Sequence, residues 1–455
     1  MPIRAEEMLK RVDKVEFDHK DAGFHDSLSE QVIIEKGRIE PLCTLNMIVR
    51  DEAENIGNAL DSIDECVDEI VINDTGSVDE TPEICGLYGV KLIRNTWKGD
   101  FSLHRNQAVR ESRGRYILWM DADDVLDESS KGSLISILKS HDTATHLFSV
   151  VNTRSGRPPV DFIQARLFPN NSGIHFENRI HEQIMNSSKR AGVPFRSSSN
   201  IRIIHSGYDT GERVKEKTER NMHLIQEELE KDQNNGVMRF SLAEALLTQG
   251  RNKTALAEYI KAINTPGLRD INPDVYAQAM VSAGALFLKE ERPERACDMF
   301  TNALDIDPYR IDACYYMGIL NRKRGLHTEA FSFFMKASRI RPRVRLTATD
   351  NLRFKLDCVY YIIEYLTQWE RLDEAESILK AAMHDHPRVV SFYNQMGRLF
   401  LSRRRVREAA RYFMYSISMC PDNNKGAYIG MSCIYDMLGD KESSESYRSR
   451  GNDTA

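Results

Sequence analysis

Two rhythms of apolar and polar positions divide the chain. From residue 41, short β-rich apolar runs alternate with amphipathic stretches of helical period. TLNMIV is followed by ENIGNALDSI, DEIVIN by DETPEICGLYG, VKLIRN by FSLHRNQAVRES, and RYILWM by a helix over about Glu128 to Lys139. Strands separated in this way predict an α/β domain: a mostly parallel, Rossmann-like sheet with helices on both faces. After residue 140 the β runs THLFSVVNT, DFIQARLF, GIHFENRIHEQI and NIRIIHSGY follow one another less regularly. Open α/β sheets bind ligands at the carboxyl ends of their strands, and the acidic residues of this region gather there.

A long charged helix is predicted from about Gly211 to Asp232, and from about Val237 the β signal gives way to paired helices. That region repeats. Gly284, Ala296, Phe300, Ala303 and Pro308 recur as Gly318, Ala330, Phe334, Ala337 and Pro342, a step of 34. The stretch Thr347 to Trp369 interrupts the rhythm and reads as an extra helix. Ala375, Leu379, Ala382 and Pro387 follow, then Gly397, Ala409, Phe413, Ser416 and Pro421, while Ala243, Ala255, Tyr259 and Ala262 form an earlier, less regular unit. Small residues let helices approach, the aromatic is expected to fill the gap between neighbouring units, and proline closes the second helix. The step and the residue types resemble the tetratricopeptide repeat, which implies an all-α superhelix with a concave surface.

Composition adds little to this picture. The 455 residues are 41% hydrophobic and 29% charged with a net charge of −6, which gives no global reason to expect nucleic acid or an anionic membrane as partner. No apolar run approaches the roughly 18–20 residues of a spanning helix. The charged N-terminus lacks a signal-peptide core, so a cytoplasmic location is expected. The eight cysteines show no CxxC pair and read as reduced core thiols.

The strongest chemical signal is WMDADD, which sets Asp121, Asp123 and Asp124 directly after an apolar strand. Clustered carboxylates at a strand end suit a hard divalent ion such as Mg²⁺ or Mn²⁺, with substrate phosphates completing the shell. A solvated acidic turn capping the next helix is the plainer alternative. VINDTGSVDET ends another strand with Asp74, Ser77 and Asp79. Asp74 could accept from a nucleobase N–H or merely form the turn at Gly76. No GxGxxG follows the first strand and no GxxxxGK[ST] occurs, which disfavours dinucleotide and P-loop chemistry. HEQIM ends in Met185, so the HExxH zinc motif is absent.

These motifs in order resemble family 2 glycosyltransferases of the GT-A fold over roughly residues 41–210. LNMIVRDEAENI is similar to the family's first strand and turn, with Asp51 where Asn is usual. VINDTGSVDET, the Arg105-Asn106 pair and the WMDADD segment, a DxD motif, follow in the family's sequence. RIHEQI and the His205-Ser206-Gly207-Tyr208 segment resemble a subgroup that carries C-terminal tetratricopeptide repeats, some of whose members glycosylate peptides or proteins at O or S. The resemblance implies a metal-dependent, inverting transfer from a nucleotide-sugar, UDP being the family's commonest nucleotide. Val49, Arg50, Glu52, Asp74, Arg105 and Asp121 are expected to bind the donor. Asp123, His205 and Asp121 would serve Mn²⁺ or Mg²⁺. Glu182 is the first candidate for the general base and His181 the second. Each has a structural alternative: His205 as a satisfied buried histidine, Arg105 as a salt bridge, Glu182 as an organiser of its loop.

The expected organisation is a polar arm at 1–40, a catalytic domain at 41–210, a linking helix at 211–236 and a helical array at 237–450. The array suggests a peptide or protein acceptor. Arg339, Arg341, Arg343, Arg345, Arg353 and Lys355, and the group Arg403, Arg404, Arg405 and Arg407, could grip an acidic peptide or the phosphates of a nucleic acid bearing a hydroxylated base. They could equally be a solvated surface. A non-catalytic adaptor with a degenerate transferase domain, and oligomerisation through the repeats, stay open.

Overall fold

The computed structural model describes residues 41–154, 157–206, 211–343, 345–347 and 349–453. The expected arm, residues 1–40, and the Gly207-Tyr208 pair lie outside them. The described residues belong to one compact unit.

The first part is an α/β sandwich around one eight-stranded sheet. Its strands are β1 (Cys43–Val49), β2 (Glu69–Asp74), β3 (Lys91–Arg94), β4 (Tyr116–Trp119), β5 (Asp124–Leu126), β6 (Thr145–Arg154), β7 (Arg157–Pro169) and β8 (Phe195–Ser206). They lie in the order β3-β2-β1-β4-β7-β6-β8-β5. The first four run parallel, β7 is antiparallel to both β4 and β6, β8 is parallel to β6, and β5 is antiparallel to β8. The sheet is therefore parallel where the β-α rhythm is regular and mixed where it is not. Helices α1 (Ile56–Ile63), α2 (Thr81–Leu87), α3 (Phe101–Arg110), α4 (Lys131–Lys139) and the short α5 (Met185–Arg190) accompany it.

Strand β4 explains how the sheet is buried on both faces. Tyr116 and Leu118 enter the core shared by β1, α1 and α4, while Ile117 and Trp119 enter a second core with Phe168, Ile174 and Phe176. A continuous apolar run is the expected signature of such a strand. The segment GIHFENRIHEQI departs from the sequence expectation. It is a loop held by one bridge between Glu177 and Gln183, not a strand. Ile174, Phe176, Ile180 and Ile184 are all buried, so its apolar spacing serves two cores without a ladder.

Beyond the sheet, α6 (Gly211–Lys231) leads to α7 (Gly236–Thr248) and α8 (Asn252–Ile263), then a one-turn α9 (Leu268–Ile271). The pairs α10 (Pro273–Lys289) and α11 (Pro293–Ile306), α12 (Ile311–Lys323) and α13 (His327–Arg339), α14 (Asn351–Gln368) and α15 (Leu372–Asp385) follow. The array closes with α16 (Val390–Ser402) and α17 (Val406–Met419), then α18 (Lys425–Leu438) and α19 (Lys441–Asp453). The expected extra helix is α14, the first helix of its own pair. Among the described residues, no helix is long and apolar enough to cross a membrane.

The repeat residues do specific work in these pairs. A Cβ at Gly284, Gly318 or Gly397 would lie 2.5–2.6 Å from the ring of Phe300, Phe334 or Phe413 respectively. Each phenylalanine is thus seated on the glycine of its own hairpin and also reaches the next unit, as expected: Phe300 stacks on Tyr316 and Phe334 on Tyr361. Phe413 alone of the three also lies against a later glycine, Gly430, at 2.4 Å from that added Cβ.

Gly318→Ala should therefore overpack a closed contact and cost about 1–3 kcal/mol. A lowered urea midpoint of the helical circular dichroism signal is the expected readout. Gly132, whose added Cβ would meet nothing within 4 Å, is the control. An equal loss at Gly132→Ala would show that packing on Phe334 is not the cause.

Candidate active site

The acidic loop is built by the register of two strands. β4 stops at Trp119, and Asp124 opens β5 directly opposite His205 of β8. Asp124 is fully buried, and every bond it makes is internal. Its Oδ2 accepts from Arg166 Nη1 at 2.7 Å and from the Asp121 N–H at 2.8 Å, and its Oδ1 lies 2.9 Å from His205 Nδ1. Arg166 comes from β7 and is equally buried. Its guanidinium lies 3.9 Å over the Trp119 ring, and its Nη2 is 3.8 Å from Asp121.

Asp121, Asp123, Asp124 and His205 bring candidate ligand atoms within 4.8 Å of one another. Burial pushes Asp123 up to about 7; His205 draws it down, while Asp121, Asp124 and Glu52 raise it further. Burial opposes the charge on His205, but its bond to Asp124 and the nearby carboxylates push it up to about 9. Burial also opposes the Asp121 carboxylate, yet Arg105 and Arg166 outweigh it and hold Asp121 well below the usual range. Asp123 is thus a carboxylate crowded by like charge, and a divalent cation would relieve that crowding. Oxygen donors with one imidazole form a chemically suitable set for a divalent metal ion.

Asp121, Asp123 and His205 open onto a cleft of about 760 Å³. Val49, Arg50 and Glu52 also line it, as do Arg105, Glu182 and the aromatic pair Trp97 and Phe101. Asp74 does not. Its Oδ1 accepts from the N–H groups of Gly76 and Ser77 and from the Ser77 hydroxyl, so that oxygen holds its own turn. Around it, two loops are stitched together. Asp51 accepts from Val78 N and donates its own N–H to Ser77, while Asp79 accepts from Ala53 N.

Arg105 joins the acidic loop to the segment that follows β7. It donates to Asp121 Oδ1 at 2.6 Å and to Glu182 Oε1 at 2.7 Å, with its guanidinium 4.2 Å from the Trp119 centroid. It pairs with these two carboxylates and not with Asp74. Asn106 fixes the same segment by exchanging two bonds with the Phe176 backbone. His181 adopts φ +51°, a left-handed conformation uncommon for a bulky residue, and is exposed but not part of the cleft lining.

Residues 44–208 match the model of glycosyl transferase family 2. The chain thus joins a segment similar to family 2 glycosyltransferases to a helical array of tetratricopeptide type. SPbeta prophage-derived glycosyltransferase SunS of Bacillus subtilis is 27% identical over 234 residues, 49% of this chain and 54% of that protein. A TPR repeat-containing protein of Synechococcus elongatus is 38% identical over 144 residues, 32% of this chain and 36% of its own. The chain spans about half the length, or less, of these curated relatives. Among solved structures, a tetratricopeptide repeat protein from Parabacteroides merdae aligns with 53% of this chain at 14% identity and a TM-score of 0.40.

Sequence reasoning missed Arg166 and left Asp124 as one acid among three. Arg166 sits in the alternating run DFIQARLF, where Gln164 and Arg166 read as the wet face of an antiparallel strand. Because this ion pair is closed to solvent, Arg166→Met should leave Asp124 uncompensated and cost about 3–5 kcal/mol. Urea denaturation would measure it. An unchanged midpoint would mean that Asp124 does not depend on this guanidinium.

Proposed function

We propose that the chain is a metal-dependent, inverting glycosyltransferase that moves a sugar from a nucleotide-sugar, with UDP the first nucleotide to test, to a peptide or protein. The observation that carries this reading is the meeting of Asp121, Asp123 and His205 in one cleft within the segment that matches the family. The helical array supports a macromolecular acceptor.

In this reading Asp123, His205 and Asp121 hold Mn²⁺ or Mg²⁺. A divalent cation bound there supplies positive charge against the departing nucleoside diphosphate. Asp124 engages His205 Nδ1 and would fix the orientation of a ligating imidazole, as a carboxylate commonly does. Val49, Arg50 and Glu52 receive the donor on the loop that Asp51 and Asp79 pin from behind, and Asp74 contributes by shaping the adjoining turn. Arg105 acts as a positioning residue: it holds Asp121 on the donor side and Glu182 beside it. Glu182 takes the acceptor proton. Its Oε1 is held by Arg105, and its Oε2 makes no hydrogen bond among the described residues. His181, outside the cleft lining, is the weaker candidate.

A donor screen tests the whole reading. The protein is incubated with Mn²⁺ or Mg²⁺ and a panel of UDP-, GDP- and dTDP-sugars, and slow release of free sugar is followed. Hydrolysis of no donor with either metal would count against it. Asp123→Asn should abolish the gain in UDP affinity that Mn²⁺ brings, measured by calorimetry. A variant that binds UDP with Mn²⁺ as the parent does would remove Asp123 from the metal site. Glu182→Gln should keep donor binding and lower transfer by roughly 10²–10⁴-fold, the usual contribution of a general base. A loss under about threefold with binding unchanged would move that role elsewhere.

A further inference from the structure

The two arginine groups of the sequence meet different fates in the fold. Arg403 pairs with Asp373 and Glu376, and Arg405 with Glu408, so much of the second group is neutralised within the array. In the first group, Arg345 is buried against Asp307 and donates to the Tyr309 carbonyl, which makes it part of the fold. Arg339, Arg341 and Arg343 instead converge with Lys336 on the rim of a groove of about 1240 Å³. The groove runs between α13 and α15, beside the linker that precedes α14. It shares no lining residue with the cleft of the glycosyltransferase domain.

Its chemistry is two-sided. Phe331, Met335, Leu366 and Ile378 give it an apolar floor. Lys336, Arg339 and Arg341 are exposed and make no ion pair among the described residues. Arg343 lies 3.7 Å over the Tyr309 ring, which also lines the groove. The acid of the lining, Glu374, is matched by Arg371 through two bonds of 2.7 Å. Four positive charges therefore surround an apolar floor, and the acid of the lining is already paired.

We infer that this groove is a docking site for an acidic polypeptide segment that carries an apolar side chain. Carboxylates on the segment meet the arginine rim in charge-assisted bonds, and the apolar side chain fills the floor. A nucleic acid satisfies only half of this surface. Its phosphates match the rim, but they offer nothing to the floor, and the Tyr309 face on which a base would stack is covered by Arg343. The inference rests on the reading of a polypeptide acceptor and adds to it a contact remote from the reacting atoms.

The test is fluorescence anisotropy of the full chain with short labelled peptides. One alternates Glu with Leu and Phe, a second carries the same charge but Ser for the apolar residues, and a third places Lys for Glu. A single-stranded DNA oligonucleotide is the fourth probe. The Glu/Leu/Phe peptide should bind best. Arg339→Gln combined with Arg341→Glu should weaken it about tenfold or more, and Met335→Ser should weaken it with an unchanged circular dichroism spectrum. Equal binding of the Ser peptide or the DNA, or variants that bind as the parent does, would overturn the inference. Donor hydrolysis is followed in the same samples and should be unaltered by the substitutions. Hydrolysis without selective peptide binding removes the groove alone, whereas selective peptide binding without hydrolysis of any donor keeps the groove and removes the transferase reading.

Discussion

The pair formed by Arg166 and Asp124 underlies the rest of the domain. An acidic loop at a strand end concentrates negative charge in a region closed to water, and such a loop is unstable without an internal cation. Arg166 supplies it from a neighbouring strand, with its flat face on Trp119 and one edge on Asp124. Once Asp124 is neutralised, its remaining lone pairs order the loop: one oxygen takes the Asp121 N–H, the other takes the His205 ring. Asp121 and Asp123 are then left turned toward the cleft. Arg105 repeats the device at Asp121, so that one indole lies within reach of two guanidiniums.

The sheet domain and the array are joined by more than a tether. Ile180, from the loop that also carries Glu182, shares a core with Met222, Leu224 and Ile225 of α6 and with the first hairpins of the array, and Trp97 and Phe101 pack on that core. Arg179 adds an ion pair to Glu227 on the same helix. At a second junction the Ile163 N–H donates to the Arg345 carbonyl, while the Arg345 side chain grips Asp307. Residues that line the cleft are therefore braced by helices beyond the sheet.

Much of this was legible in the sequence, for reasons of periodicity. The β-α rhythm gave the parallel half of the sheet, because its strands are short apolar-rich runs separated by helical stretches. The step of 34 gave the hairpins, because Gly284, Gly318 and Gly397 are positions where a ring needs the space of a missing Cβ. The same rings also close the gap to the next unit, where Tyr316 and Tyr361 stack on Phe300 and Phe334. The loop 173–184 misled. Apolar residues at Ile174 and Phe176 alternate as in a strand, yet Asn178 and His181 have positive φ and turn the chain out of any ladder. Arg166 was hidden because an isolated arginine in an alternating strand looks solvated. Only the pairing of β7 with β4 shows that this face is covered by Trp119. Basic clusters were visible as composition, but their pairing with Glu376, Asp373 and Asp307 required the packing of helices far apart in sequence.

The continuous core that runs from Trp97 and Ile180 through α6 into α7, α8 and α10 has a consequence for recombination of such proteins. Swapping arrays between relatives is the obvious way to redirect a transferase, and the interval between the sheet and the first hairpin is the natural place to cut. A crossover there would divide a single hydrophobic interior and leave mismatched halves in the chimaera. A chimaera would have to keep α6 and the first hairpins, on which Ile180 is packed, with the parental sheet domain.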